Sequence, residues 1–103
     1  MTDIITLSKK IAAATEAGKI AAAAQLDDGG SANLDHVVIF GLKGVREAAL
    51  LNAGIDCRKR GVGKFALGAP FAGQGNRRAA GVEAQADALN AAGVQCYVHY
   101  QMD

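Results

Sequence analysis

The order of apolar and polar positions predicts a helix at the start of the chain. Ile4, Leu7 and Ile11 recur at helical spacing and predict a helix over residues 4–25, whose middle Gly18 weakens. The helix is rich in alanine, and small side chains bury little area. It therefore needs a partner surface, and a glycine-rich linker at 27–33 follows it.

The clearest strand is the segment 36–40, which is β-branched and apolar on both faces. Such a strand belongs in the centre of a sheet. The later elements are a helix at 45–53, strands at 55–60 and 64–67, a helix at 76–92 and a strand at 94–101. We expect a tight turn at 61–63, glycine caps at Gly54 and Gly93, and an N-cap at Asn76.

One pattern occurs twice in the chain. A helix end, a capping glycine and a strand carrying cysteine make up both 51–57 and 89–96. Two such units predict an α+β domain with the ferredoxin-like split βαββαβ arrangement and strand order 4-1-3-2. The extra N-terminal helix and linker occupy residues 1–33, the α+β domain occupies 34–103, and together they form one compact unit.

The sheet of this fold carries helices on one face only. Its other face would show Val38, Phe40 and Tyr97, an apolar patch that monomers seldom leave bare. We expect the N-terminal helix or a second subunit to cover it, which favours a homo-oligomer such as a homodimer.

Length and composition add limits to this fold. The chain has 103 residues, enough for a single modest core. The N-terminus lacks the pattern of a signal peptide, and no stretch approaches the roughly 20 apolar residues of a membrane span. We therefore expect a cytoplasmic protein without membrane association. Cys57 and Cys96 are expected to be reduced rather than disulfide-bonded.

Positive charge is concentrated in the middle of the chain. The segment 43–78 contains eight lysines and arginines against two acids, whereas the rest has three lysines and eight acids. These charged side chains either are simply hydrated on an ordinary protein surface or form a basic face for an anionic partner. The candidate partner-binding residues are Lys43, Arg46, Arg58, Lys59, Arg60 and Lys64.

The glycine-broken loop before the last helix is the candidate anion site. Two arginines follow its Gly-x-Gly spacing, in the first turn of a helix, where the dipole disfavours cations. An anion would offset them; alternatively they point to water or pair within the fold. The candidate ligand-binding residues are Gly73, Gln74, Gly75, Asn76, Arg77 and Arg78. Arg78 replaces the third glycine of a dinucleotide motif, and no Walker motif follows.

Other motifs point to weaker possibilities. Residues 60–67 resemble the third strand of RNA-recognition motifs, but Val62 and Lys64 replace its stacking aromatics. Residues 41–44 match a KH-type Gly-x-x-Gly loop. His36 and His99 would meet if the first and last strands pair antiparallel, as sheet-surface histidines rather than metal ligands. No serine, cysteine or carboxylate pair is set up for catalysis, so we expect a non-enzymatic protein without cofactor or metal.

The C-terminal third resembles small uncharacterised proteins encoded by bacteriophages and prophages. The residues concerned are 73–77, 82–84, 92–93, Tyr97 and the ending 100–103. The resemblance implies an accessory protein that acts inside a bacterial cell by binding and blocking a host component such as a defence factor. The sequence thus leaves three hypotheses: a binder of nucleic acid or an acidic host protein, a nucleotide or phosphate site at 73–78, and a structural homo-oligomer.

Overall fold

The chain folds into three helices and one four-stranded antiparallel sheet. The computed structural model describes residues 3–26, 29–30, 33–71 and 75–101. The elements in chain order are α1 (Ile4–Ala24), β1 (His36–Ile39), α2 (Glu47–Asn52), β2 (Cys57–Gly61), β3 (Lys64–Leu67), α3 (Asn76–Ala91) and β4 (Cys96–His99). The predicted α+β class is confirmed.

The strands lie in the order β2-β3-β1-β4, and each neighbouring pair is antiparallel. The doubly apolar strand β1 is therefore central, as its sequence predicts. Val37 and Ile39 are fully buried against the helix side, and Val38 is fully buried on the other side. A central strand hides its backbone polar groups in two ladders, so it tolerates apolar residues on both faces.

The caps and turns follow the glycines. Gly54 and Gly93 both have φ near +85° directly after the ends of α2 and α3, where residues with a Cβ are strained. The β2–β3 turn is Val62-Gly63, with Gly63 at φ 68°. The predicted N-cap was displaced by one residue: Gly75, not Asn76, holds the cap position of α3.

The N-terminal helix packs on the helix side of the domain. α1 lies mainly against α3 and also touches α2, so it leaves the other face of the sheet open. Of the two expected covers for that face, the N-terminal helix is therefore excluded, and a second subunit stays a prediction. Gly18 lets α1 pack closely against α3, because a Cβ there would lie 2.5 Å from Phe71 and 2.7 Å from the Gly81 carbonyl oxygen. Small residues on both helices let the two backbones approach closely.

Candidate nucleic-acid interface

The strand register assigns side chains to the two faces of the sheet. One row across the strands is Lys59, Phe65, Ile39 and Cys96, and it faces the helices because Phe65 and Ile39 are core residues. The next row is Arg58, Ala66, Val38 and Tyr97, and successive side chains alternate between faces. This second row therefore lies on the face without helices, which we call the open face.

Two aromatic rings lie together on the open face. The ring centroids of Phe40 and Tyr97 are 5.9 Å apart, at an interplanar angle of 43°. The Lys64 ammonium lies 6.0 Å from the centroid of the Tyr97 ring, at the outer limit of a cation–π contact. Tyr97 is 41% exposed and Phe40 is half-buried. The open face thus offers a ring surface with a cation beside it.

A histidine pair occupies the other end of the open face. His36 and His99 are direct partners in the β1–β4 ladder, with ring centroids 5.1 Å apart, so the predicted proximity is confirmed. His36 Nδ1 lies 2.8 Å from the Leu34 carbonyl oxygen and must donate to it. Its Nε2 then accepts a hydrogen bond from Arg60 at 2.7 Å. Both ring nitrogens of His36 are therefore engaged.

The same contacts bear on the metal hypothesis. The carboxylate of Asp35 is buried and accepts the backbone N–H of Gln101 at 2.8 Å. Asp103, the other carboxylate that the sequence offers as a ligand beside these histidines, lies outside the described residues. Within the residues that the structure describes, no group of three or more metal-binding side chains occurs.

The Arg60 side chain crosses the open face. Arg60 is the extra residue of a bulge in β2, since Lys59 pairs with Phe65 and Gly61 pairs with Lys64. It reaches His36 on β1, and β3 lies between those two strands. The hydrogen bond thus ties the edge strand β2 to the central strand β1 across the open face, where Val38 is 0% exposed although no helix covers it.

The six predicted partner-binding residues are all exposed, but they do not share one face. Arg58, Arg60 and Lys64 lie on the open face. Lys59 lies in the row that faces the helices, and its backbone N–H donates to Glu47. Lys43 lies beside the β2–β3 turn, and Arg46 lies at the start of α2. The positive charge of the segment 43–78 is therefore divided among several surfaces.

The predicted anion loop is only partly described, because Gly73 and Gln74 lie outside the described residues. At Gly75, a Cβ would collide with the carbonyl oxygen of Gly29, so glycine here admits the chain's own backbone. The same Gly29 oxygen accepts the N–H of Asn76 at 3.0 Å, and Asn33 donates to the Gly75 carbonyl at 3.0 Å. The Asn76 N–H, one of the groups that a phosphate at this helix start would bind, is thus already used within the fold.

Arg77 and Arg78 make hydrogen bonds within the fold. Arg77 Nε donates to the carbonyl oxygen of Gln25, the C-cap residue of α1, at 3.1 Å. Arg78 Nε donates to the carbonyl oxygen of Asp35 at 3.0 Å. The negative end of the α1 dipole therefore offsets a cation at the positive end of α3. Anion binding by these arginines stays a prediction, now with an intramolecular alternative.

Neither thiol is poised for chemistry. Cys57 and Cys96 are free, as expected. Burial raises the pKa of both thiols, and nearby carboxylates, Glu47 and Asp56 for Cys57 and Asp87 for Cys96, raise it further. Protonated thiols are poor nucleophiles at neutral pH.

Sequence reasoning placed Val38, Phe40 and Tyr97 on the open face but missed the contact of Arg60 with His36. Strand alternation alone would separate Arg58 and Arg60 from Lys59. The structure keeps that division, and the bulge at Arg60 changes only the pairing that follows it, so that Gly61 lies opposite Lys64.

Comparison of the chain with protein-family models, with curated proteins and with solved structures found no match. The resemblance to bacteriophage proteins therefore stays an expectation. Among the described residues, no helix is both long and apolar enough to cross a membrane.

Proposed function

We propose that this chain is a non-enzymatic binding protein that holds single-stranded nucleic acid on its open face. The observation that carries the proposal is that Arg58, Arg60 and Lys64 share a face without helices with the Phe40–Tyr97 ring pair, and that Lys64 lies beside this pair. Proteins that bind single strands combine cations that meet the phosphates with aromatic rings on which bases stack.

The mixture of side chains favours nucleic acid over an acidic protein. A partner bound by charge alone needs no rings, whereas two of the three cations on the open face contact a flat side chain. Lys64 lies over Tyr97, and Arg60 is held by His36 beside His99. Base stacking on aromatic side chains tolerates any sequence, so the proposal is for binding with little sequence preference.

We also propose that the domain has the ferredoxin-like arrangement with an added N-terminal helix. The order β2-β3-β1-β4, read from the β4 edge, is 4-1-3-2, and α2 and α3 connect β1 to β2 and β3 to β4. Several RNA-binding domains use the open face of a four-stranded sheet in this way. A phage or prophage origin, action in the bacterial cytoplasm and interference with a host defence remain proposals that rest on the sequence resemblance.

The test is fluorescence anisotropy with a labelled thymidine oligonucleotide. Binding should weaken steeply between about 50 mM and about 200 mM salt, with a logarithmic slope near −2 if about three phosphates are contacted. The double variant Arg58→Gln with Lys64→Gln should reduce the affinity and flatten the slope. The matched control is Lys9→Gln with Lys10→Gln, which removes the same charge from α1.

Equal losses in the two double variants would show a non-specific charge effect and remove the open face from consideration. Binding that ignores salt would exclude the electrostatic proposal altogether.

Two alternative functions, a homodimer and a nucleotide site, each predict a different result. If the open face pairs with a second copy, sedimentation will show a concentration-dependent dimer that Tyr97→Ala disrupts, without any oligonucleotide. If the loop 73–78 holds a nucleotide, thermal unfolding will shift with nucleotides in the wild type and not in Arg77→Ala or Arg78→Ala. The single-strand proposal predicts neither result.

A further inference from the structure

The outer side of α1 carries a stripe of exposed apolar and charged side chains. It lies on the opposite side of the helix from Gly18, which packs against α3, so the stripe points away from the domain. Ile5 and Ile20 lie at its two ends and are 69% and 70% exposed. The exposed residues of the stripe between them are Lys9, Ala12, Ala13 and Glu16.

The residue types of this stripe are symmetric about the midpoint of the alanine pair 12–13. Ile5 and Ile20 lie equally far from that midpoint on either side. Lys9 and Glu16 also lie equally far from it, and they carry opposite charges. A two-fold axis through the midpoint would therefore place two copies of α1 antiparallel, with each residue of a symmetric pair opposite the other residue of that pair.

The charges of the stripe favour this antiparallel arrangement. Lys9 of each copy meets the partner's Glu16, so the dimer contains two ion pairs of the same kind. A parallel pair of helices would instead bring Lys9 against the partner's Lys9, and like charges across an interface are unfavourable. Glu16 also meets Lys19 on its own helix at 3.4 Å, but this exposed pair contributes little and does not prevent a second contact.

The apolar residues fit the same arrangement. Ile5 of each copy packs against the partner's Ile20 at the two ends of the helix pair, where both side chains are now exposed. The small alanine pair 12–13 lies at the axis and lets the two helix axes approach to about 8 Å, the short end of the usual range. Shape, apolar surface and charge thus all fit one partner.

We infer that the outer side of α1 is a self-complementary docking surface for a second copy of this chain. One pair of helices buries less than the roughly 1,600 Å² of a standard interface, so the dimer is weak and forms at high protein concentration. Since the stripe points away from the domain, the dimer leaves both open faces uncovered. The inference is therefore independent of the proposed nucleic-acid binding, and either can fail without the other.

The test is sedimentation velocity of the full chain from micromolar concentration up to about 1 mM, over which the wild type should pass from monomer towards dimer. Lys9→Glu alone and Glu16→Lys alone each place like charges opposite one another at both pairs. Each should raise the dissociation constant of the dimer about tenfold or more. The two substitutions combined in one chain should restore the dimer.

A mixture of the two single variants is the sharpest form of this test. In a mixed dimer of the Lys9→Glu chain with the Glu16→Lys chain, every facing pair again carries opposite charges. The equimolar mixture should therefore dimerise like the wild type, although each variant alone dimerises poorly. Circular dichroism checks that both variants keep the helix content of the wild type, as expected for exposed positions.

Two further variants are controls. Lys10→Glu makes the same charge change at the neighbouring residue of α1, which lies off the stripe, and should change the dissociation constant less than about twofold. Tyr97→Ala on the open face should leave this dimer intact, whereas a dimer formed through the open face would be lost.

A wild type that stays monomeric over the whole concentration range would overturn the inference and leave the stripe to a different partner. An equal loss of the dimer in Lys10→Glu and Lys9→Glu would also overturn it, because association would then follow overall charge. A mixture that dimerises no better than its two components would exclude the antiparallel pairing of Lys9 with Glu16.

Discussion

The Nε2 atom of His36 lies 2.7 Å from a guanidinium nitrogen of Arg60, although β3 separates their strands. The bond holds the Arg60 side chain flat across the open face. His36→Ala removes the acceptor of this hydrogen bond and leaves Arg60 free to move. It should therefore weaken oligonucleotide binding about two- to tenfold. Anisotropy at low salt measures the loss.

A double-mutant cycle tests the anchor directly. His36→Ala should cost less in the Arg60→Ala background than in the wild type, since the anchored group is gone. The same substitution combined with Lys64→Ala should give additive losses. Full additivity in both cycles would mean that His36 acts by itself.

Tyr97 and Tyr100 form a matched pair for the stacking hypothesis. Tyr97 lies on the open face, whereas the Tyr100 hydroxyl donates to Glu83 of α3. Removing a stacking ring costs about 1–3 kcal/mol per base, so Tyr97→Ala should weaken oligonucleotide binding roughly five- to a hundredfold. Tyr100→Ala should change it less than twofold. Equal effects would place the oligonucleotide elsewhere.

Gly18 should resist a substitution that usually stabilises helices. Glycine to alanine inside a helix commonly gains up to about 1 kcal/mol. At Gly18 the new methyl group would overlap Phe71 and the Gly81 carbonyl, so Gly18→Ala should instead lower the free energy of unfolding by about 1–3 kcal/mol. Gly61→Ala is the control, because a Cβ there meets nothing within 4 Å. Urea unfolding compares the two variants.

The Gly18 contact also shows what the sequence can and cannot predict. Local signals set the elements: β-branched residues gave a central β1, and Gly54 and Gly93 gave both helix ends. The packing partner of α1 was not predictable. Its alanines and Gly18 show which face of the helix carries small side chains, but not which surface that face packs against. Phe71 and Gly81, more than fifty residues away, decide that.

The candidate site, too, was predictable from the sequence only in part. The His36–His99 pair was predictable because register follows from antiparallel pairing of two strands. The contact of Arg60 with His36 was not, because it joins two strands that β3 separates, and no local pattern gives the path of a long side chain. Whether Arg77 meets a ligand or the Gln25 carbonyl depends on where α1 ends in space, and no local pattern encodes that.

The two thiols should react slowly with alkylating reagents. Burial raises the pKa of Cys57 and of Cys96, so near pH 8 less thiolate is present than in an unfolded chain. The Cys96 thiol also donates toward the carbonyl of Ala86 and the side chain of Asn90, contacts that ionisation would remove. Iodoacetamide labelling followed by mass spectrometry should be faster at half-buried Cys57 than at buried Cys96.

The same shifts make stability depend on alkaline pH. A pKa that is higher in the folded than in the unfolded state gives stability that is fully present below the unfolded value. That stability is lost as the pH rises through the folded value. The two thiols should therefore favour folding up to about pH 9, and their contribution should decline above it. Labelling at free-cysteine rates in the folded chain would contradict both expectations.

The Asp35–Arg78 region should matter more for stability than for any ligand. Asp35 is buried, its carboxylate accepts the Gln101 N–H, and its carbonyl accepts Arg78 Nε. Asp35→Ala leaves the Gln101 N–H without this partner and should cost about 1–3 kcal/mol, whereas Asp35→Asn keeps an acceptor oxygen and should cost less. Asp87→Ala, at an exposed position, should change the free energy of unfolding by less than about 0.5 kcal/mol.

Arg78→Ala should lower the free energy of unfolding by about 1 kcal/mol or more without any anion present. If Arg78→Ala unfolds like the wild type in plain buffer, and phosphate or nucleotides stabilise only the wild type, the arginine serves a ligand rather than the fold.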